Sequence, residues 1–185
     1  MTNRDRVHER AILDALEAIG FEFFESKVWR VTRAGREPTI GSAAGGRWSP
    51  PGEFEVLYTC IEREGALAEI GYRLSLEPVW PSRINHEIHE INLRLDRALK
   101  FADLSKLEQL DVDVSRYQSF EYDRTQEIAS AAHFLEYDGL IVPSARYNCL
   151  NAIVFLDRLG ANFRLEVANT APIDWSQWKL KPQRS

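Results

Sequence analysis

The sequence predicts a single α+β domain in which a central mixed β-sheet is flanked by helices, and three observations predict it. The 185 residues amount to about one domain of chain, long enough for a real hydrophobic core. Apolar residues recur at helical spacing in three separate stretches, and short strand-like runs, GLIV, LNAIVFL and FRLEVA, follow the last of them. No internal repeat, low-complexity block or Gly/Ser/Pro-rich linker divides the chain. The division expected is a helical segment over residues 1–26, the body of the domain over 27–170 and a basic tail over 171–185.

The elements follow in order. Ile12, Leu13, Leu16 and Ile19 lie at helical spacing and Gly20 follows, which marks an amphipathic helix closed by glycine. KVWRVTR, residues 27–33, alternates large apolar and basic side chains, as a strand with one solvated or pocket-facing side does. TIGSAAGGRWSPPG, residues 39–52, holds four glycines and small residues around one Arg and one Trp, which suits a structured loop and neither a helix nor a central strand. EVLYTCI is rich in strand formers, and residues 64–76 read as a helix with Leu67, Ile70 and Leu74 on one stripe. Ile91, Leu93 and Leu95 alternate with polar residues, so HEINLRLD is a half-buried strand, with a second strand expected at residues 99–101. Asp123 is placed to cap a helix with Gln126 reaching back, and Ile128, Ala132 and Leu135 keep helical spacing up to Asp138-Gly139, where a βαβ crossover would end. GLIV, LNAIVFL and FRLEVA then read as strands of the central sheet, the middle one apolar enough to be buried on both faces. WSQWKLKPQRS is basic and interrupted by proline, and reads as a peripheral tail.

Charge and cysteine usage exclude several function classes. With 23 basic against 28 acidic residues the formal charge is −5, which argues against a surface that coats nucleic acid or an anionic membrane. The basic residues from Lys179 onward either contact DNA weakly or are simply solvated. Cys60 and Cys149 form no C-x-x-C pair, which suits a reducing compartment and thiols used as small core hydrophobes. MTNRDRVHER leads into no apolar run of signal-peptide or membrane-span length, so the cytoplasm is the expected setting. His86 and His89 lack the H-E-x-x-H spacing, so no zinc site is expected; Cys149 and His133 are the residue types of a hydrolase pair, without supporting spacing.

The chemistry-bearing residues are few. In GSAAGGRWSPPG the glycines let backbone approach a ligand while Arg47 supplies a planar, five-donor cation, a combination suited to a phosphate-bearing anion. It has neither the Lys-Ser/Thr of a Walker loop nor Rossmann glycine spacing, and an ordinary surface loop with Trp48 packed inward has the same composition. Arg30 lies in VWRVT with its side chain opposite those of Trp29 and Val31; facing a cleft, it would join Arg47 in gripping a diphosphate, and otherwise it lines a solvated strand face. Tyr58 offers a flat ring for stacking, or is a core tyrosine with a wet hydroxyl. Glu69 is the only charge in ALAEI, opposite the Leu67/Ile70/Leu74 stripe, either a surface carboxylate or a group that small alanines leave open to substrate. Ser144 follows Pro143 at a strand end, where loops present polar groups, but no G-x-S-x-G elbow surrounds it.

Trp29-Arg30, GSAAGGRWSPPG, VLYTC, ALAEI and DGLIVPSAR, in that order and at these separations, resemble the RES-domain family, over about residues 28–155. The family is named for Arg, Glu and Ser, and its members are typically toxins of Xre–RES toxin–antitoxin systems. The loop departs from the family's usual GGRWN in having Ser49 after Trp48. The resemblance implies a split-sheet fold similar to the ADP-ribosyltransferase toxins and an activity on NAD as substrate, with no metal. It further implies that Glu69 stabilises the ribosyl cation, that Arg30 and Arg47 hold the phosphates, that Tyr58 stacks on nicotinamide and that Ser144 bonds ligand or Glu69. The acceptor is water or phosphate in an NAD glycohydrolase or phosphorylase, or a protein target in an ADP-ribosyltransferase; a non-catalytic nucleotide- or partner-binding module is the further alternative. The partner it implies is a cognate Xre-type helix-turn-helix antitoxin that occludes the cleft, and a homodimer stays open.

Overall fold

In the computed structural model, which describes residues 7–179, one long strand organises everything else. Strand β3, His86–Lys100, runs as a single element where the sequence suggested two. No turn residue separates Asp96 from Leu99, and Asp138 instead ties the backbone there by accepting from the amides of Asp96 and Arg97 at 2.7 and 3.0 Å. Along one edge β3 pairs antiparallel with β1, Glu22–Arg33. Its other edge is shared by β6, Arg164–Pro172, antiparallel, and by β4, Gly139–Pro143, parallel.

Two further strands fold the sheet back on itself. β5, Leu150–Phe155, lies between β4 and β2, Val56–Cys60, and β2 touches β1 at Trp29 opposite Cys60. The strand order β1-β2-β5-β4-β3-β6, with β1 also joined to β3, is a mixed sheet split into two packed leaves. Val28, Ile91, Leu93 and Leu95 from one leaf meet Leu57, Ile141, Ala152 and Val154 from the other. All eight are buried, each complete removal of a Val, Leu or Ile side chain from water being worth about 1.5–3 kcal/mol.

Helices cover the outer faces. α1, Arg10–Ile19, ends at Gly20 with φ 75°, and packs Ile12 and Leu16 with α4, Asp123–Phe134, in a cluster that includes Phe155 and Leu140. Asp123 does not cap α4: the cap residue is Tyr122, without a side-chain cap bond, and Gln126 turns to the glycine loop instead. The crossover from β3 to the parallel β4 runs through α3, Leu104–Glu108, a 3₁₀ turn at Val114–Arg116 and α4. α2, Arg63–Ser75, covers the third cluster, which contains Leu67, Cys60, Ile88 and Trp175.

FRLEVA is a strand of the sheet as expected, and β6 takes an edge position in which it is mostly exposed. The carboxy-terminal segment differs from the sequence expectation and is not wholly peripheral. α5, Trp175–Lys179, buries Trp175, whose indole N–H donates to His86 Nδ1 at 3.1 Å, and sets Trp178 against Gly71, where a Cβ would overlap the ring. Residues 1–6 and the tail over 180–185 lie outside the described residues. No helix among the described residues is long and apolar enough to cross a membrane.

Candidate active site

The glycine loop is a tight turn that presents one arginine. Ser42 and Val56 exchange backbone hydrogen bonds at 3.0 and 3.1 Å, and Gly46 and Ser49 exchange theirs at 2.9 and 3.3 Å, leaving Arg47-Trp48 at the tip. Gly45, at φ 93°, supplies a left-handed conformation that a side chain would oppose. Trp48 is buried against Phe101, and Gln126 donates to Gly46 O at 2.8 Å. The packed-Trp48 feature of an ordinary loop is therefore present together with a projecting cation.

Tyr58 on β2 is the post on which this turn rests. Its hydroxyl accepts from Trp48 N at 2.9 Å and lies 3.0 Å from Ser49 Oγ. Burial raises the phenol's pKa, the Ser49 contact opposing the shift, so the group stays protonated. Gly46 is required by this contact, because a Cβ there would sit 2.6 Å from the hydroxyl oxygen. Ser49, buried, thus supplies the polar contact at the position where the loop departs from GGRWN.

Glu69 and Ser144 come together although 75 residues separate them. Glu69 lies one turn past Gly65 on α2, and Ser144 follows β4; Ser144 Oγ donates to Glu69 Oε1 at 2.7 Å. Asn151 of β5 donates from Nδ2 to the same oxygen at 3.3 Å. Among the described residues no hydrogen bond reaches Oε2, so the carboxylate is fixed by one oxygen and offers the other. The group is partly exposed and held at one oxygen.

The arginines are held by carbonyls and rings. Arg47 lies between Tyr117 and Tyr122, its Cζ 4.6 and 4.8 Å from the ring centres, and donates to Ser119 O at 3.0 Å. Burial lowers its pKa, opposed by Tyr117, Tyr122 and Glu69, and it remains a cation at neutral pH. A hollow of about 230 Å³ beside it is lined by Tyr117, Ser119 and Thr125, among others. Arg30 donates to Tyr58 O at 3.4 Å and Ile40 O at 3.2 Å, while its enclosed Nε meets no acceptor. Burial, and Arg36 to a lesser degree, lower its pKa to about 10. Neither arginine lies within 4.0 Å of a carboxylate among the described residues, although Asp111, Asp113, Glu121 and Asp123 line the same hollow as Arg47, with Arg116 and Arg124.

Sequence reasoning missed Asn151, Tyr117, Tyr122, Gln126 and Arg146. Asn151 had a signal, being the one polar residue in LNAIVFL. Arg146 stacks on Tyr72, with Cζ 3.7 Å from the ring centre, and its amide donates to Ser144 Oγ at 3.2 Å. The other polar candidates stand apart. His133 stacks on Phe54 and bonds Asp157 at 2.9 Å, and is not paired with Cys149. His89 is buried between the hydroxyls of Thr32 and Thr170, at 2.8 Å from each. Cys60 bonds Asn151 Oδ1 at 3.0 Å, and its thiol also reaches that of Cys149, whose sulfur fills the space left by Gly65. Among the described residues no three His, Cys, Asp or Glu side chains group as a metal site.

Comparison with known proteins gives a family and a fold. The family model described as "RES domain" matches residues 27–176. A search of curated protein sequences finds no significant match. Among solved structures the chain is similar to one from the crystal structure of the M. tuberculosis MbcT–MbcA toxin–antitoxin complex, with a TM-score of 0.80 at 17% identity, covering 92% of this chain and 96% of that one. At that identity the likeness concerns the fold.

Proposed function

The chain belongs to the RES-domain family, and from that premise we propose that it is the toxin of a toxin–antitoxin pair that cleaves the nicotinamide–ribose bond of NAD and so arrests growth. The observation that carries the reading is Glu69, anchored through Oε1 by Ser144 and Asn151 with Oε2 left for a ligand. Its surroundings suit a dinucleotide. Arg47 and Arg30 lack carboxylate partners, and aromatic rings frame the approach.

In this reaction the C1′–N bond of the nicotinamide ribosyl group breaks and its electron pair goes to the ring nitrogen, so nicotinamide leaves neutral. Positive charge builds on the ribose, and a carboxylate already in place stabilises that state more than the ground state. The acceptor adds to C1′; water or phosphate gives up its proton as it does so, with Oε2 of Glu69 placed to take it. Ser144 and Asn151 keep the carboxylate from rotating. Arg47 binds a phosphate, Arg30 adds positive potential, and Tyr58 holds the turn through its hydroxyl and offers its ring for stacking on nicotinamide. The activity draws on no metal, because the leaving group carries its own activating positive charge. The setting is the cytoplasm, and the partner is an antitoxin that covers this cleft, in keeping with the complex in which the similar fold was solved.

The test is nicotinamide release from NAD by partner-free protein, with Glu69→Gln as control. Release by the wild type and a loss of about 10²–10³-fold in the variant are expected. Free ADP-ribose or its 1″-phosphate among the products marks water or phosphate as acceptor, and label retained on a protein marks a transferase. Equal behaviour of wild type and variant would sink the proposal.

A further inference from the structure

Two arginines reach the same short segment from separate parts of the chain. Arg47, on the glycine loop, donates from Nη2 to Ser119 O at 3.0 Å, and Arg146, after β4, donates from Nη2 to Gln118 O at 2.8 Å. The acceptors belong to consecutive residues, whose Cα atoms are about 3.8 Å apart. Each guanidinium is also held between aromatic rings: Arg47 by Tyr117 and Tyr122, Arg146 by Tyr72 at 3.7 Å and Phe120 at 5.6 Å. Their like charges oppose one another, and among the described residues neither meets a carboxylate within 4.0 Å.

Arg146 is also tied to the catalytic carboxylate. Its amide donates to Ser144 Oγ at 3.2 Å, and that hydroxyl donates to Glu69 at 2.7 Å. Tyr72, on which the guanidinium rests, is three residues beyond Glu69 on α2 and so near the same face of the helix. The main chain of Arg146 is thus tied to the partner of Glu69, and its guanidinium rests on the helix that carries Glu69.

We propose that Arg146 is a substrate-binding residue that pairs with Arg47 to hold the diphosphate of the ligand, the carbonyls of Gln118 and Ser119 occupying those donors in the free protein. The proposal rests on the NAD reading above and names the groups that recognise the middle of that molecule. Ionised phosphate oxygens are stronger acceptors than neutral carbonyls, and planar guanidinium forks match them bidentately, so the ligand displaces the 118–119 peptide. The stacked rings keep both forks oriented during the exchange. Arg30 is less suited to the task, with both terminal nitrogens bonded to main-chain carbonyls and its Nε enclosed.

Calorimetric titration of ADP, with AMP as the single-phosphate control, tests this without turnover. For Arg146→Met the ADP dissociation constant is expected to rise about 10–100-fold while that for AMP changes less than about threefold, and Arg146→Lys to recover part of the loss. An unchanged ADP affinity in Arg146→Met overturns the proposal, as does an equal weakening of ADP and AMP, which marks a structural effect. Absence of ADP binding by the wild type overturns it too. Wild-type protein that shows the expected ADP pattern but releases no nicotinamide separates the two ideas: the diphosphate pair stands and the NAD-cleaving reading falls.

Discussion

A single hydroxyl decides how well Glu69 is aimed. Ser144→Ala removes the 2.7 Å bond to Oε1 and leaves only the longer one from Asn151, so kcat for nicotinamide release is expected to fall about tenfold, by the roughly 1.5 kcal/mol of one hydrogen bond to a charged group. A variant as fast as the wild type would show that Asn151 alone suffices. Buried histidines set a pH limit of a different kind. His86, His89 and His133 all have pKa values held below the ordinary 6.5, first of all by burial. Below about pH 6.5 the unfolded chain takes up protons that the folded chain refuses, so their contribution to stability is complete above that pH and is lost as the pH falls through it. The melting temperature is expected to drop between about pH 7.5 and pH 5.5; an unchanged value would mean the imidazoles are protonated within the fold.

At the level of elements, the turn 46–49 and strand β2 form one unit through Tyr58. Gly46→Ala places a methyl 2.6 Å from the Tyr58 hydroxyl and is expected to destabilise the protein by about 1–3 kcal/mol in urea denaturation. Tyr58→Phe removes the obstructing oxygen, so the double variant is expected to lose less than the sum of the two single ones; strict additivity would deny the contact. These elements also show what the sequence made legible. The periodicity of Ile12, Leu16 and Ile19, the glycines of the loop and the apolar run around Ile153 each encode a local conformation, and each element is present. The edge position of β6, the burial of Trp175 and the choice of Gln126 for Gly46 O depend on neighbours distant in the chain, which local pattern does not encode. The same holds for the site. Residue type drew attention to Glu69 and Ser144, but their pairing is tertiary: β4 lies between β3 and β5, so that Ser144 at its end and Asn151 of β5 both reach Glu69 on α2.

For the molecule as a whole, a net charge of −5 is compatible with two arginines that have no carboxylate within 4.0 Å, because exposed charges further apart than a Debye length are largely screened. NAD cleavage is expected to persist unchanged in EDTA, since the nicotinamide ring supplies the charge that drives its departure; activity abolished by chelation and restored by a divalent ion would contradict this. The sheet order has a consequence for how the cell makes the protein. Arg47, Tyr58 and Glu69 emerge early from the ribosome, but Ser144 and Asn151, which give the carboxylate its aim, come some eighty residues later. Strand β3 likewise has one edge waiting for β4 and β6 until residues 139–172 have been synthesised. Interruption of translation before Ser144 therefore yields fragments that carry the carboxylate without the two groups that aim it.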